Sequence, residues 1–315
     1  MTKTIEPEAT KPLRMHRVAY AAAHLVMKDE YRATTVSGYG SDLASMIDWD
    51  ATLDIRRYLN GLEFGIAEAM DTAQRFEVGW DIARMLIEKT IELDLALPPV
   101  AGAGYDHVEH VRSKNELIDA VAFQVDFIHN AGGIPILLPL LWLTETGAGE
   151  EEYVEVYREI IQQSRGPLLL HWLGPEFLAA TKGYFPGESF NHIMEHDPEK
   201  VLGAKISLLD PDREEQLRLR ALERRQVILT GDDWNFARLI AGKDPTVRGW
   251  RSWGPHEVAL GDFSHALLGI LDAIAEPARV ALKYLEEGNS ISYQKVMAPC
   301  EALSRVIFEP PTEHY

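Results

Sequence analysis

The feature that most constrains this chain is an alternation: short apolar runs recur along it, separated by stretches with helical periodicity. Strands buried on both faces need continuous apolar runs, and parallel strands need a crossover helix. The alternation therefore implies βαβ units around a parallel sheet. The expected strands lie at 17–26, 61–69, 99–102, 133–138, 166–171, 201–207 and 226–230, with an eighth between Thr246 and Val258. Amphipathic helices are expected at 51–60, 80–93 and 113–130. After the eighth strand, 264–275 reads as a barrel helix, 277–287 as another, and 291–308 as a C-terminal addition. Eight such units form either an open doubly wound sheet or a closed barrel. No G-x-G-x-x-G phosphate loop follows the first strand, which favours the barrel. The expectation is an α/β chain with a (β/α)8 TIM barrel over 1–275 and a C-terminal helical extension over 276–315 packed on it. In such barrels the chemistry sits at the carboxyl ends of the strands.

Composition narrows the partners. The 31 basic and 49 acidic residues give a net charge of -18, which repels phosphate backbones and anionic membrane surfaces. Nucleic acid and membrane are not expected partners. The single cysteine, Cys300, forms no internal disulfide, and residues 1–14 lack an apolar signal core. The apolar stretch 134–143 is interrupted by Pro135 and Pro139 and is too short for a membrane helix. A cytoplasmic protein is expected. The chain ends at 309–315 without an evident terminating helix, leaving open a natural chain that continues past Tyr315.

Several clusters invite chemistry. His24, His107, His110, His171, His256 and His265 lie near expected strand ends. Glu68, Asp71, His107 and His171 together offer oxygen and imidazole ligands for a divalent ion that would polarise a sugar carbonyl. The spelling H-x-x-E-H at 192–196 matches an inverted zincin motif, but its place on a short outer helix marks it as solvated surface. Of Asp232 and Asp233, one suits the barrel mouth and the other a helix cap. Asp262 and Ser264 are candidate caps for the helix expected at 264–275, leaving His265 in the core or at the rim. The charged run 210–225 has the spacing of a solvent-facing helix with i,i+4 pairs.

Three segments carry a resemblance. Residues 99–104 (PVAGAG) with 131–137 (AGGIPIL), residues 152–171, and residues 201–207 (VLGAKIS) followed by 229–233 (LTGDD) stand in order over most of the chain. This order resembles the dihydrodipicolinate synthase and N-acetylneuraminate lyase superfamily of class I aldolases. The resemblance implies a (β/α)8 barrel whose Schiff-base lysine is Lys205. Physics suits that role: an amine buried in an apolar barrel loses its charge more readily and becomes nucleophilic near neutral pH. A strand-end lysine in a structural ion pair is the plainer alternative.

Two departures bear on the substrate. Where pyruvate-handling members carry a Tyr-Asn-x-Pro-Gly-Arg type sequence, this chain has 171–177 (HWLGPEF), with His171 for the tyrosine and Glu176 near the arginine's place. The Gly-Thr-Thr-Gly-Glu element appears as 64–68 (FGIAE), retaining only the glutamate. Both losses remove groups that hold a carboxylate. A Schiff-base aldolase or dehydratase for a carbohydrate-derived carbonyl compound is therefore expected, needing no cofactor. Lys205 and His171 would be catalytic, with the imidazole moving protons itself, and Glu68, Asp71, Gln74, Glu176 and Asp232 would bind substrate hydroxyls. The alternatives are a divalent-metal-dependent barrel lyase or isomerase using Glu68, Asp71, His107 and His171, and a non-catalytic barrel that binds a small metabolite. The resemblance also implies a homo-oligomer, a dimer or tetramer, with the apolar C-terminal helix at 296–308 as its interface.

Overall fold

The computed structural model describes residues 14–33, 41–71 and 74–309. Eleven strands appear among them: β1 (Arg14–Met15), β2 (Ala19–Ala22), β3 (Gly65–Glu68), β4 (Val100–Ala103), β5 (Ile134–Leu137), β6 (Leu168–Leu173), β7 (Val201–Ser207), β8 (Val227–Thr230), β9 (Asp244–Trp253), β10 (His256–Asp262) and β11 (His265–Leu268). The α-helices are α1 (Ser41–Ser45), α2 (Trp49–Gly61), α3 (Arg75–Ile91), α4 (Lys114–Ala131), α5 (Leu141–Glu145), α6 (Glu150–Gln163), α7 (Ser189–His196), α8 (Pro211–Glu223), α9 (Phe236–Ala241), α10 (Leu271–Glu286) and α11 (Ser290–Ile307). Side-chain caps fix several helix starts. Asp48, Ser113 and Asp210 accept the backbone N–H groups of Ala51, Glu116 and Arg213, and Pro211 supplies a preset φ at the start of α8.

Eight parallel strands close on themselves in the order β11-β2-β3-β4-β5-β6-β7-β8. This is the expected (β/α)8 barrel. Period-two alternation divides each strand between two cores. Ala204 and Ile206 of β7, with Leu168 and Leu170 of β6, pack outward against Tyr157, Ile160 and Ile193 of the helical layer. Tyr20, Ala67, Ile136, Leu169 and Leu229 instead fill the barrel interior.

One expectation fails. The segment 246–258 does not close the barrel: it forms the antiparallel hairpin β9-β10, with β1 parallel to β10. Much of β9 is exposed or half-exposed, as an outer ribbon must be, whereas His265–Leu268 is buried throughout and pairs with both β2 and β8. An apolar run as short as HALL has no periodicity to separate strand from helix, which is why 264–275 read as helical. The hairpin lends Trp253, Val258 and Leu260 to the interior core, and Trp253 donates a 2.7 Å hydrogen bond to the Tyr20 hydroxyl. The barrel's floor is sealed this way.

Smaller differences follow the same logic. The first and second strands are shorter than 17–26 and 61–69, and β6 runs on to Leu173, so His171 lies within it. The helices expected at 264–275 and 277–287 become the single helix α10, which carries Pro277, is non-helical at Ile274 and runs through the expected boundary at 275/276. The charged helix α8 is not wholly solvated. Glu214 and Arg218 are buried against the barrel, Glu214 accepting from Thr230 and Ser264 and Arg218 donating to Asp262, so Asp262 and Ser264 serve this network and cap no helix. Burial pushes the Glu214 carboxyl up to about 8. His265 bridges the floor, accepting from the Val18 N–H at 3.0 Å and donating toward the Ala259 carbonyl.

Arg56 and Glu68 brace the mouth from outside. Their buried pair has two contacts, 2.6 Å and 3.0 Å, and Arg56 also donates to the carbonyls of Ala23, His24 and Thr52 while Thr90 donates to Glu68. The ends of β2 and β3 are thereby tied to α2 and α3. Removing one partner of such a pair strands the other charge, at a cost of roughly 3–5 kcal/mol. Arg56→Ala is expected to lose stability of about that size in urea unfolding, whereas a loss within that of a surface substitution would contradict the bracing role.

Candidate active site

The alternation that puts Ala204 and Ile206 outward turns Lys205 and Ser207 inward, at the carboxyl end of β7. His171 sits beside Lys205 in register across the β6–β7 pair. All three are almost completely buried. His171 Nδ1 lies 3.2 Å from a carboxylate oxygen of Asp71, on the loop after β3, and its Nε2 shares a 3.2 Å hydrogen bond with Ser207 Oγ. Gly231, just past β8, makes the fit possible. A Cβ there would stand 2.1 Å from Ser207 Oγ and 2.6 Å from Lys205 Cε, so hydroxyl and amine stem crowd the same point and only glycine leaves them room.

Electrostatics at this cluster follow from burial. Loss of solvent holds the Lys205 amine below its ordinary value, and the charges of Asp71 and Asp233 partly oppose that. Burial likewise raises the Asp233 carboxyl to about 7, with Lys205 pulling it back down. Buried His171 is shifted downward, with Asp71 opposing and Lys205 reinforcing the shift. Asp233 Oδ1 is buried with no hydrogen-bond partner among the described residues. Two carboxylates, an imidazole, a hydroxyl and a primary amine thus share one desolvated end of the barrel.

A cleft of about 530 Å3 is lined by Glu176, Phe177, Asp210, Trp234 and Phe308 together with 208–209 and Pro211, from the loops that follow β6, β7 and β8 and the end of α11. Two of its lining residues adjoin cluster residues in the chain, Leu208 following Ser207 and Trp234 following Asp233, while the cluster side chains themselves stay buried behind it. The β6 loop is drawn onto it by a 2.7 Å hydrogen bond from Gly174 N–H to the Ser207 carbonyl, and the Glu176 carboxylate lies over Gly174, where a Cβ would be only 2.5 Å from it. No lysine or arginine lines the cleft among the described residues.

The residues singled out from the sequence separate into two groups. Lys205, His171 and Asp71 come together at the mouth, and Glu176 lines the adjoining cleft. Glu68 does not join them, because it alternates with inward-facing Ala67 and spends both oxygens on Arg56 and Thr90. Gln74 accepts from Leu25 N–H and fastens two loops. Asp232 holds the turn before α9, accepting from the backbone of Trp234 and Asn235 and from the Asn235 side chain, and Asp233 is the aspartate whose charge acts on Lys205. Ser207 and Asp233 were not chosen as site residues from the sequence, although period two from Lys205 points to Ser207.

The four proposed metal ligands do not converge. His107 packs against Phe123 and Trp80 and contacts Gln124, while Glu68 is held by Arg56. No group of three or more His, Cys, Asp or Glu side chains is arranged to hold a metal among the described residues. His192 and His196 of the H-x-x-E-H segment lie on α7 and contact Glu150 and Gln162, and Glu195 pairs with Arg224. His24 pairs with Asp272, His256 contacts the Ala96 carbonyl, and His110 is exposed. Among the described residues, no helix is long and apolar enough to cross a membrane.

Comparison with known proteins returns the same fold. A family model described as "Protein of unknown function (DUF993)" matches residues 1–315. No curated protein matches the sequence. Among solved structures, a putative dihydrodipicolinate synthetase from Pseudomonas aeruginosa is similar at 14% identity and a TM-score of 0.65, over 96% of this chain and 86% of its own. Dihydrodipicolinate synthase from Aquifex aeolicus is similar at 12% identity and a TM-score of 0.66, over 94% and 84%. N-acetylneuraminate lyase from Fusobacterium nucleatum, complexed with pyruvate, is similar at 14% identity and a TM-score of 0.63, over 93% and 82%.

Burial that outweighs the carboxylates has a measurable consequence. Lys205 is expected to gain reactivity toward an amine-acylating reagent at lower pH than the surface lysines, read by competitive labelling and peptide mass spectrometry. Asp233→Asn removes a charge that favours the ammonium and is expected to move that profile to still lower pH. A Lys205 profile that matches the surface lysines, or one that moves upward in Asp233→Asn, would contradict the site's electrostatics.

Proposed function

The chain belongs to the DUF993 family, and on that premise we propose that it is a Schiff-base lyase, an aldolase or dehydratase acting on a carbohydrate-derived carbonyl compound. The observation that carries this reading is the desolvated Lys205 amine at the carboxyl end of β7, beside His171 in register and with Asp71 and Asp233 acting on it. A depressed amine supplies the neutral nucleophile that adds to a carbonyl carbon, and the resulting iminium withdraws electrons from a neighbouring C–C or C–O bond. The barrel shared with dihydrodipicolinate synthases and N-acetylneuraminate lyase supports the same chemistry.

The residues divide the work. Asp71 orients the His171 imidazole and stabilises its protonated form, which is the arrangement a proton-transfer group requires. Asp233, with a carboxyl near 7, is poised to exchange a proton with the amine or with a substrate hydroxyl at neutral pH. Glu176 and Asp210 offer carboxylate acceptors to hydroxyl groups, and Trp234, Phe177 and Phe308 offer apolar faces to a sugar's C–H surface. A cleft with acidic groups and no lysine or arginine repels carboxylates and phosphates, so a neutral polyhydroxylated carbonyl compound fits it better than a 2-keto acid. The departures at 171–177 and 64–68 point the same way.

We assign no cofactor to this reaction, and read the chain as a cytoplasmic homo-oligomer. Ile291, Leu303 and Val306 of α11 are exposed, which suits a dimer or tetramer contact on the C-terminal helices.

Borohydride reduction in the presence of separate ketoses, keto-sugars and keto acids tests the proposal. Neutral keto compounds are expected to leave a reduced adduct that maps to Lys205 and to inactivate the protein, while pyruvate reacts poorly and Lys205→Ala forms no adduct. Binding without any adduct would favour a non-catalytic metabolite-binding barrel. Efficient trapping of pyruvate alone would overturn the substrate assignment.

A further inference from the structure

Both ring nitrogens of His171 are turned toward protein groups, and only Nε2 has a hydrogen bond with good geometry. Nδ1 faces Asp71 and Nε2 is hydrogen-bonded to Ser207 Oγ, and the ring is wholly buried. The sequence reading had this histidine move protons directly. Its geometry instead sends any proton onward through the serine hydroxyl. That hydroxyl is well placed to receive it, because Ser207 and Lys205 face the barrel interior from the same strand, two residues apart, and Gly231 is glycine where a Cβ would collide with both Ser207 Oγ and Lys205 Cε.

We propose that Ser207 is the catalytic residue that passes protons between the His171–Asp71 pair and the oxygen of the substrate carbon attached to Lys205. This rests on the Schiff-base reading above and deepens it. After the amine has added to the carbonyl, the carbinolamine C–O bond breaks as the nitrogen lone pair forms C=N. The departing oxygen takes the Ser207 hydroxyl proton and leaves as water, and Ser207 takes the Nε2 proton of a doubly protonated His171. The positive charge thus passes from imidazolium to iminium, and Asp71 keeps its contact with the Nδ1–H throughout. Hydrolysis of the product imine runs the same transfers backward, with water as the attacking oxygen. Burial disfavours the imidazolium, so the protonated ring is a stronger acid but a smaller fraction of the molecules, and the transfer is expected to quicken as pH falls toward the His171 ionisation.

The same chain of contacts explains why a histidine at this place is useful without touching the substrate. A serine hydroxyl alone is a poor acid, and coupling it to an imidazole gives it a proton to pass whenever that ring is protonated. Asp71 is a positioning residue in this scheme, and Ser207 is the group that meets the reacting atoms.

The test uses the full chain and dihydroxyacetone as the probe, with cyanoborohydride to trap the imine and mass spectrometry to follow the Lys205 adduct with time. General acid–base groups are worth about 10²- to 10⁴-fold, so Ser207→Ala is expected to slow adduct formation by roughly 100-fold or more. Acylation of Lys205 by an amine reagent, which needs no carbinolamine step, should keep its rate. Ser207→Thr, which retains the hydroxyl, is expected to recover most of the trapping rate. In Ser207→Ala the residual rate should also lose the dependence on His171 ionisation seen in the unaltered chain. Equal trapping rates in Ser207→Ala and the unaltered chain, or a Ser207→Thr variant as slow as Ser207→Ala with its acylation rate intact, would overturn the relay while leaving the lyase reading standing. Absence of any Lys205 adduct in the unaltered chain would overturn both.

Discussion

The cost of burying one amine organises the carboxyl end of this barrel. A lysine taken out of water must either find a counter-charge or give up its proton, and at the end of β7 both tendencies are present. Asp71 and Asp233 favour the ammonium, burial disfavours it, and burial prevails. The same desolvation lifts the Asp233 carboxyl toward neutrality. The amine is shifted down and the carboxyl up, so two groups whose ordinary values lie far apart are moved toward one another, which eases proton movement between them.

That balance depends on structure well away from the lysine. The floor of the barrel is sealed by Trp253 and the β9-β10 hairpin, so the polar groups collect at the opposite end. The Arg56–Glu68 pair, buried between sheet and helices, fixes the ends of β2 and β3 and with them the loop that carries Asp71. On the other side, the hydrogen bond from Gly174 to the Ser207 carbonyl and the turn fixed by Asp232 hold the loops that present Glu176, Asp233 and Trp234. Rigid support of this kind lets side chains at strand ends keep their mutual geometry.

Much of this was legible in the sequence because a closed parallel barrel writes itself as regularly spaced apolar runs. That Lys205 and His171 come together was legible because they fall at corresponding ends of adjacent strands within recognisable motifs. What escaped did so for physical reasons. HALL at 265–268 is too short to reveal a period, and the hairpin before it offered β-forming residues in a more conspicuous run. Glu68 and Asp71 looked alike as acidic residues near the end of an apolar strand, but alternation turns Glu68 outward while Asp71, beyond the strand, reaches His171, a difference of register that one residue decides. Asp232 and Asp233 were alike as helix-cap candidates, and only the folded geometry shows Asp232 holding the turn before α9, whose N-cap is Asn235. In α8, Glu214 and Arg218 have the i,i+4 spacing of a surface pair, yet tertiary packing buries them against β8 and the residues before β11.

The account turns on whether the buried amine makes a covalent bond to a carbonyl carbon inside the mouth. A crystal structure of the chain after reduction in the presence of a neutral keto-sugar addresses this most directly. Continuous density is expected from Lys205 Nζ into the cleft, with ligand hydroxyls against Glu176 and Asp210 and the bonded carbon's former oxygen site beside Ser207. Density for an intact ligand unconnected to Lys205, or an adduct on a surface lysine with the mouth undisturbed, would contradict it.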